Sequence, residues 1–484
     1  MEPLRILRLL VRLGTGFGLF ALLARSLFGQ RIASIMGLTW KAALRFRLFW
    51  VVAVLLIGSV IILPLVIRDD GTARGFTQIL LTYTLSVVTA LLGFSTLWLS
   101  CGTLARDIEE NQMQVVAVKP VARWQIWLGK WLGIVTLDAV LLAVAGLCVC
   151  MLLHWRAQKL PAAEQKILRE EVLVGRGSLK EAQPDLEAEV ERLFQARMKD
   201  TPVNPASAAM VKNQLREALK VELIQPHFMR RWQIDLGYRR NFLRDEPLFI
   251  RLKFYAASTN SLGTYRAVVE AGPPESNQRV RQLLSLSADS FHEIKIPPNL
   301  WDSAGVLTID VQNRDGFVLA VPRDEGFELL YREGSFAVNF ARALLIILFW
   351  LMLLAALGLA AASFLSFPVA AFISASLMLM ALSSGTLRST VEAGTITGMN
   401  EETGETGQSV LDHVLIPVFK GMLYVFKLAE DFSPVDALST GRSLEWMMVA
   451  GAFTKIVLLL GGAVALFGIV AFTRRELAAG NTHS

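Results

Sequence analysis

Six stretches of the chain stay apolar over the roughly 20 residues needed to cross about 30 Å of hydrocarbon: 48–67, 79–101, 126–153, 341–362, 369–386 and 453–472. A long polar insert, 154–340, separates the first three from the last three, and its own pattern changes once. In 154–230 apolar residues recur at helical spacing among charges, as in Leu186, Val190 and Leu193 and again in Leu215, Leu219 and Leu223. Pro184, Pro202 and Pro205 act as breaks, which predicts paired helical arms. In 231–340 the period becomes two: Trp232, Ile234, Leu236; Ile250, Leu252, Phe254; Tyr265, Ala267, Val269; Leu307, Ile309, Val311; Phe327, Leu329, Tyr331. Alternation of that kind predicts antiparallel strands packed in a small β-sandwich, with turns at Gly272-Pro273-Pro274, Pro297-Pro298-Asn299 and Asp315-Gly316. The expected fold is a membrane α-helical protein of six transmembrane helices carrying an α+β insertion, with helical arms and a jelly-roll-like sandwich.

Composition agrees that two kinds of structure share the chain. Of 484 residues, 53% are hydrophobic and 19% charged, too apolar for one soluble body and too charged for membrane helices alone. The net charge of +6 does not point to nucleic acid, because Arg5, Arg8, Arg12, Arg25, Arg31, Lys41, Arg45 and Arg47 crowd ahead of the first span. Basic residues there favour cytoplasmic retention and contact with anionic lipids. An even number of spans puts both termini on one side, and Arg474-Arg475 after the last span makes that side the cytoplasm. The expected location is the cytoplasmic, or inner, membrane, with 102–125 inside and the insert outside. Segment 1–47 reads as interfacial amphipathic helices, since Gly14, Gly16, Gly18 and Arg25 break its apolar run and no small-x-small cleavage site follows. Within 387–452, the run 410–428 carries Pro417, Lys420 and Lys427 and reads as a helix at the outer membrane surface rather than a seventh span.

Chemistry-bearing motifs are few. No G-x-x-x-x-G-K-[ST] phosphate loop occurs, and the histidines lack metal-ligand spacing, so neither nucleotide hydrolysis nor a metal or other cofactor is expected of this chain. Cys101, Cys148 and Cys150 lie in apolar segments and build no disulfide framework. In the second span Thr82, Ser86, Thr89, Gly93, Thr96 and Ser100 alternate four and three residues apart. They form one seam of small or hydroxyl-bearing side chains that either packs closely on another helix or lines a polar path. Asp138, inside the third span, costs about 2.5–3.5 kcal/mol at mid-bilayer on insertion scales. It must face a polar passage or bond a hydroxyl of the second span. In the sandwich, Trp232, Tyr238, Arg239, Arg240 and Trp301 are candidates for stacking on a sugar or gripping an acidic group, against the plainer reading that most sandwich aromatics are core.

The connector between the second and third spans carries the most specific pattern: Arg106-Asp107-Ile108-Glu109-Glu110, then Val115 and Val116, then Lys119-Pro120, Arg123-Trp124 and Gly129-Lys130. Charges suited to a partner's cleft, valines that offer an apolar docking face, and Pro120 as a helix stop suit a short rigid lever at the membrane surface. Arg106-Asp107-Ile108-Glu109, Lys119-Pro120 with Arg123-Trp124, and Gly129-Lys130, in that order, resemble the corresponding region of ABC-2-type exporter permeases. Thr39-Trp40-Lys41-Ala42-Ala43-Leu44-Arg45 and the tail Phe472-Thr473-Arg474-Arg475-Glu476-Leu477 are similar to that family's approach helix and C-terminus. The resemblance covers the spans and inner segments and leaves the insert unexplained. It implies a permease subunit, pairing with a second copy or a homologous permease and bound by separate ABC ATPase subunits that hold the ATP and Mg. Arg106 to Glu110, Val115, Val116, Lys119, Pro120, Arg123 and Trp124 would then form the coupling surface, and alanine at Asp107 and Glu109 would weaken ATPase-subunit association or stimulation while leaving membrane insertion intact. Two other readings compete. The chain is a membrane-anchored binding or scaffold protein, or it transmits mechanical work to its outer domain without transport.

Overall fold

The computed structural model describes residues 29–45, 47–66, 72–110, 121–168, 172–182, 185–200, 205–256, 263–274, 279–385, 387, 391, 410–430 and 432–475. The chain divides into a helical unit, built from the segments on either side of the insert, and a β-rich unit, Val174–Ser335.

The first half of the helical unit contains α1 (Gly29–Arg45), α2 (Arg47–Val66), α3 (Ala73–Glu109), α4 (Arg123–Ala157) and the short α5 (Ala162–Ile167). The β-rich unit follows with β1 (Val174–Leu179), α6 (Leu186–Asp200), α7 (Pro205–Leu219), β2 (Val221–Ile224), β3 (Met229–Asp235), β4 (Leu248–Leu252), β5 (Tyr255–Ala256), β6 (Thr264–Ala271), β7 (Val280–Ser287), β8 (His292–Ile296), β9 (Val306–Asn313), β10 (Leu319–Pro322) and β11 (Phe327–Ser335). The chain then returns to the helical unit through α8 (Phe336–Ala362), α9 (Phe367–Leu382), α10 (Val410–Glu430), α11 (Pro434–Ser439) and α12 (Trp446–Arg474), the last with a π-helical stretch at Phe453–Gly461.

Among the described residues four helices, α3, α4, α8 and α12, are each long and apolar enough to cross a membrane, and α1 with α2, bent by 73°, make a fifth candidate as a pair. That is the composition of a membrane-embedded protein, and it accounts for four or five of the six spans expected. The stretch at 369–386 forms α9, which starts at Phe367-Pro368 and stops after 16 residues, where the Ser383-Ser384-Gly385 sequence begins. Its length falls short of the roughly 20 residues a span needs. Helix α10 forms despite Pro417 and is not among the span-length apolar helices. Segment 1–28 of the expected interfacial helices lies outside the described residues.

Helix α8 lies at the centre of this unit, packed against α3, α4, α9, α11 and α12. Small residues permit the approach. A Cβ added to Gly358 would overlap the Ser100 hydroxyl and sit 2.9 Å from Ser100 Cβ, and one added to Gly468 of α12 would sit 2.9 Å from Ala360 Cα. On α8, Ala356, Gly358, Ala360 and Ala362 are all buried. Replacing Gly358 with leucine is therefore expected to cost about 1–3 kcal/mol by overpacking. Thermal unfolding of the detergent-solubilised chain checks this, and an unchanged midpoint would contradict the packing.

In the β-rich unit the strands form two four-stranded antiparallel sheets, β1-β11-β4-β8 and β3-β9-β6-β7, with β2-β10-β5 as a smaller third. The inner faces of the two larger sheets share one hydrophobic cluster, which contains every residue of the period-two pattern from Trp232 to Tyr331. Trp232 on β3 stacks on Phe327 of β11 at 4.2 Å between ring centroids, so the sheets pack face to face. The segment 154–230 is not wholly helical. It supplies β1, which pairs with β11, and β2, which pairs with β10. Leu223, expected on a helix, is an exposed residue of β2. Strand β1 reads VGRGSL. Its glycines conceal it from alternation, yet Gly177 is required, because a Cβ there would run into the Tyr331 ring. Helices α6 and α7 do pair as arms, burying Val190 and Phe194 and joined by Arg216–Glu187 and Lys212–Glu191 ion pairs.

The outward side of the β1-β11-β4-β8 sheet carries buried charges. Arg176 makes two hydrogen bonds to Glu293, at 2.7 and 3.0 Å. Arg251 meets Glu328 at 3.4 Å, both nearly free of solvent, with the Arg251 guanidinium 4.1 Å from the Phe291 ring centre. On the other sheet, burial works against the Asp310 carboxylate, but hydrogen bonds from Arg231 and Arg279 hold it below the usual carboxylate range.

Candidate functional site

The connector's described flanks bring four helix ends together. At the end of α3, Lys130 from α4 reaches back to Asp107 Oδ2 at 2.6 Å and to the Thr103 carbonyl at 2.9 Å. Lys130 is buried and Asp107 about one-third exposed, so the carboxylate pairs a charge that would otherwise be stranded in an apolar helix. Arg106 places its guanidinium 4.5 Å from the ring centre of Phe367, and Glu109 Oε1 accepts the Phe367 N–H at 3.0 Å. Phe367 opens α9. Glu109 therefore serves one of the unpaired donors at that helix's start, where a negative charge also suits the helix dipole.

Arg123 works at the opposite kind of terminus. Its Nη1 points at the carbonyls of Phe472 (3.1 Å), Thr473 (2.8 Å) and Arg475 (2.8 Å), the unpaired acceptors that end α12. Arg475 in turn donates to the carbonyls of Ala362 and Ser363 at the end of α8. Beneath these polar ties lies a hydrophobic cluster of Leu104, Ala105, Ile126, Trp127, Ile134, Leu359 and Phe472, with Ile108 and Val121 packed on its edge.

Helix α1 is seated on α4 through close contacts. A Cβ on Gly129 would stand 2.8 Å from Ile35, and one on Gly133 2.8 Å from Thr39. Trp40 Nε1 donates to Thr136 Oγ1 at 2.8 Å. Gly129-Lys130 thus combines a helix-packing position with the base of the Asp107 ion pair.

The coupling candidates consequently separate by role. Arg106, Asp107, Glu109 and Arg123 are turned onto helix ends of their own chain, and Ile108 onto the apolar cluster. Asp107 and Glu109 each bond a different helix, so replacing them alters contacts within the helical unit as well as any surface offered to a partner. Glu110 and Trp124 are exposed. Val115, Val116, Lys119 and Pro120 lie outside the described residues. Lys130, Thr103, Phe367 and Arg475 were not singled out as site residues beforehand. The available signal was Lys130 itself, a lone cation in an apolar run that demands a partner.

The seam on α3 also divides. Gly93, Thr96 and Ser100 are buried, and Gly93 packs toward Leu354 of α8 while Ser100 meets Gly358. Thr82 and Thr89 are half-buried and Ser86 is exposed. Asp138 takes the hydroxyl option: Thr96 Oγ1 lies 2.9 Å from its Oδ2 and 2.7 Å from the Leu92 carbonyl. Asp138 Oδ1 has no partner among the described residues. No group of three or more metal-binding side chains occurs among the described residues.

In the β-rich unit the proposed sugar-stacking set does not form one site. Trp232 is a buried core residue and Trp301 packs at the core's edge, whereas Tyr238 is exposed beside Arg239 and Arg240 bonds the Ser303 carbonyl. Among known proteins the chain matches no family model and no curated sequence.

Proposed function

We propose that this chain is the transmembrane permease subunit of an ATP-driven exporter of the ABC-2 type, working as a dimer in the cytoplasmic membrane with separate ATPase subunits. The observation that carries the reading is the set of ties flanking the connector. Through Asp107–Lys130, Glu109–Phe367 and Arg123 on the end of α12, a push on one short segment is delivered to α3, α4, α9 and α12 together. A rigid transmission of that kind is what converts closure of a nucleotide-binding partner into helix movement. ATP and Mg belong to the partner, this chain serving as lever and passage. Glu110 and Trp124, exposed on the two flanks, are the residues offered to it. The β-rich unit is read as an extracytoplasmic jelly-roll insertion, supported by the order in which its strands alternate between the two larger sheets.

The test is co-purification from mild detergent of an ATPase subunit with the wild-type chain and with a Glu110→Ala/Trp124→Ala double variant. The wild type is expected to retain the ATPase, and the variant to bind it about thirtyfold more weakly, as for loss of one interfacial hot spot of about 2 kcal/mol. A wild-type chain that never carries an ATPase would overturn the assignment and favour the scaffold reading.

A further inference from the structure

We propose that the β-rich unit binds an acidic saccharide, a sugar-sized ligand bearing carboxylate, sulfate or phosphate groups, in an open cavity of about 610 Å³ on the outer face of the β3-β9-β6-β7 sheet, lined by His227, Arg266, Val268, Arg281, Leu283 and Arg314. The site stands on the β-rich unit alone and does not depend on the transporter reading.

Register explains why these residues meet. Val268 of β6 lies opposite Leu283 of β7, Arg266 opposite Ser285, and Glu270 opposite Arg281, so successive outward positions put an apolar pair between two arginines. Strand β9 pairs on the other side of β6, and the Arg314 N–H just beyond it donates to the Arg266 carbonyl, which sets a third guanidinium beside the first. His227 comes from the turn entering β3, where the Asn313 N–H donates to the neighbouring Phe228 carbonyl.

The lining of this cavity carries three guanidiniums and no carboxylate. Elsewhere in the unit some guanidiniums meet carboxylates at 2.7–2.8 Å, as in Arg176–Glu293, Arg230–Glu222 and Arg231–Asp310, and others at 3.4–3.8 Å, as in Arg251–Glu328 and Arg332–Glu246. Here Arg266 is 3.8 Å from Asp315, a carboxylate already accepting the Arg266 backbone N–H, and Arg281 is 3.3 Å from Glu270, which it shares with Arg279. Arg314 has no acidic partner among the described residues, and no acidic residue lines the cavity. Cations gathered with too few acids repel one another, and an anion placed among them relieves that repulsion while accepting forked guanidinium hydrogen bonds. The floor gives the ligand its second character. Val268 is buried and Leu283 largely exposed, an apolar pair that suits the C–H face of a sugar ring. The apolar pair flanked by guanidiniums is the combination that a charged sugar ring matches, and the vesicle arm of the experiment separates it from a lipid surface.

The experiment measures binding of a sulfated heparin hexasaccharide, a hexagalacturonate and neutral maltohexaose to the full-length chain in detergent, at fixed ionic strength. Both acidic probes are expected to bind at least about tenfold more tightly than maltohexaose. An Arg266→Gln/Arg281→Gln/Arg314→Gln variant should lose that preference. An Arg239→Gln/Arg240→Gln/Arg244→Gln variant, which removes the same charge at other positions of the unit, should keep affinity within about twofold. Equal loss in both variants means diffuse attraction and overturns the site, as does equal binding of acidic and neutral sugars. If the first variant loses binding only to phosphatidylglycerol vesicles and not to the acidic sugars, the ligand is a lipid surface and the proposal fails. Circular dichroism confirms that each variant retains its β content.

Discussion

Replacing Glu328 with alanine is expected to destabilise the β-rich unit by about 3–5 kcal/mol, the range for breaking a buried ion pair by removing one partner. Arg251 and Glu328 are both almost inaccessible to solvent, and their side chains meet at 3.4 Å on adjacent antiparallel strands, β4 and β11. Alanine takes away the carboxylate and leaves the guanidinium in a place water cannot reach. Removing both charges should behave differently. Arg251→Met/Glu328→Leu keeps the volume and is expected to recover most of the loss, because neither charge then has to be desolvated. The pair of variants is compared by thermal unfolding of the full chain and by protease cleavage within 174–335. A single variant as stable as the wild type would show that the two charges do not meet in solution.

Asp107→Ala is expected to cost about 2 kcal/mol in the helical unit, less than a fully buried pair because the aspartate keeps some access to water. Lys130, buried and charged, would be left with the Thr103 carbonyl at the end of α3 as its acceptor among the described residues. Adding Lys130→Met should restore stability, since a flexible apolar side chain fills the same space without a charge. Failure of the double variant to recover would mean that Asp107 acts on something other than Lys130. The comparison also governs how coupling experiments are interpreted. A drop in ATPase association on mutating Asp107 reports loosened helix ends as readily as a lost docking contact, whereas Trp124, exposed at the start of α4, reports docking more directly.

Much of the β-rich unit was legible in sequence. Trp232, Ile250, Tyr265, Ile309 and Leu329 announce a buried face, because a strand with one dry side must alternate, and all of them lie in the shared core. Strands β1 and β2 escaped because their pairing comes from distant partners, β11 and β10, rather than from local alternation. In the helical unit, apolar runs identified α3, α4, α8 and α12, but run length overstated α9, where the helix stops early.

The sequence by itself determined the division into apolar helices and a polar β-rich insert, the core positions of the strands and the charged connector, because burial imposes a periodicity that residues must carry locally. Only the tertiary structure decided what the charges do. Asp107 finds Lys130 across 23 residues and Arg123 finds the α12 carbonyls across some 350, pairings set by which helix ends the fold brings together. The same holds for the cavity of Arg266, Arg281 and Arg314, three unremarkable surface arginines in sequence that strand register gathers on one face.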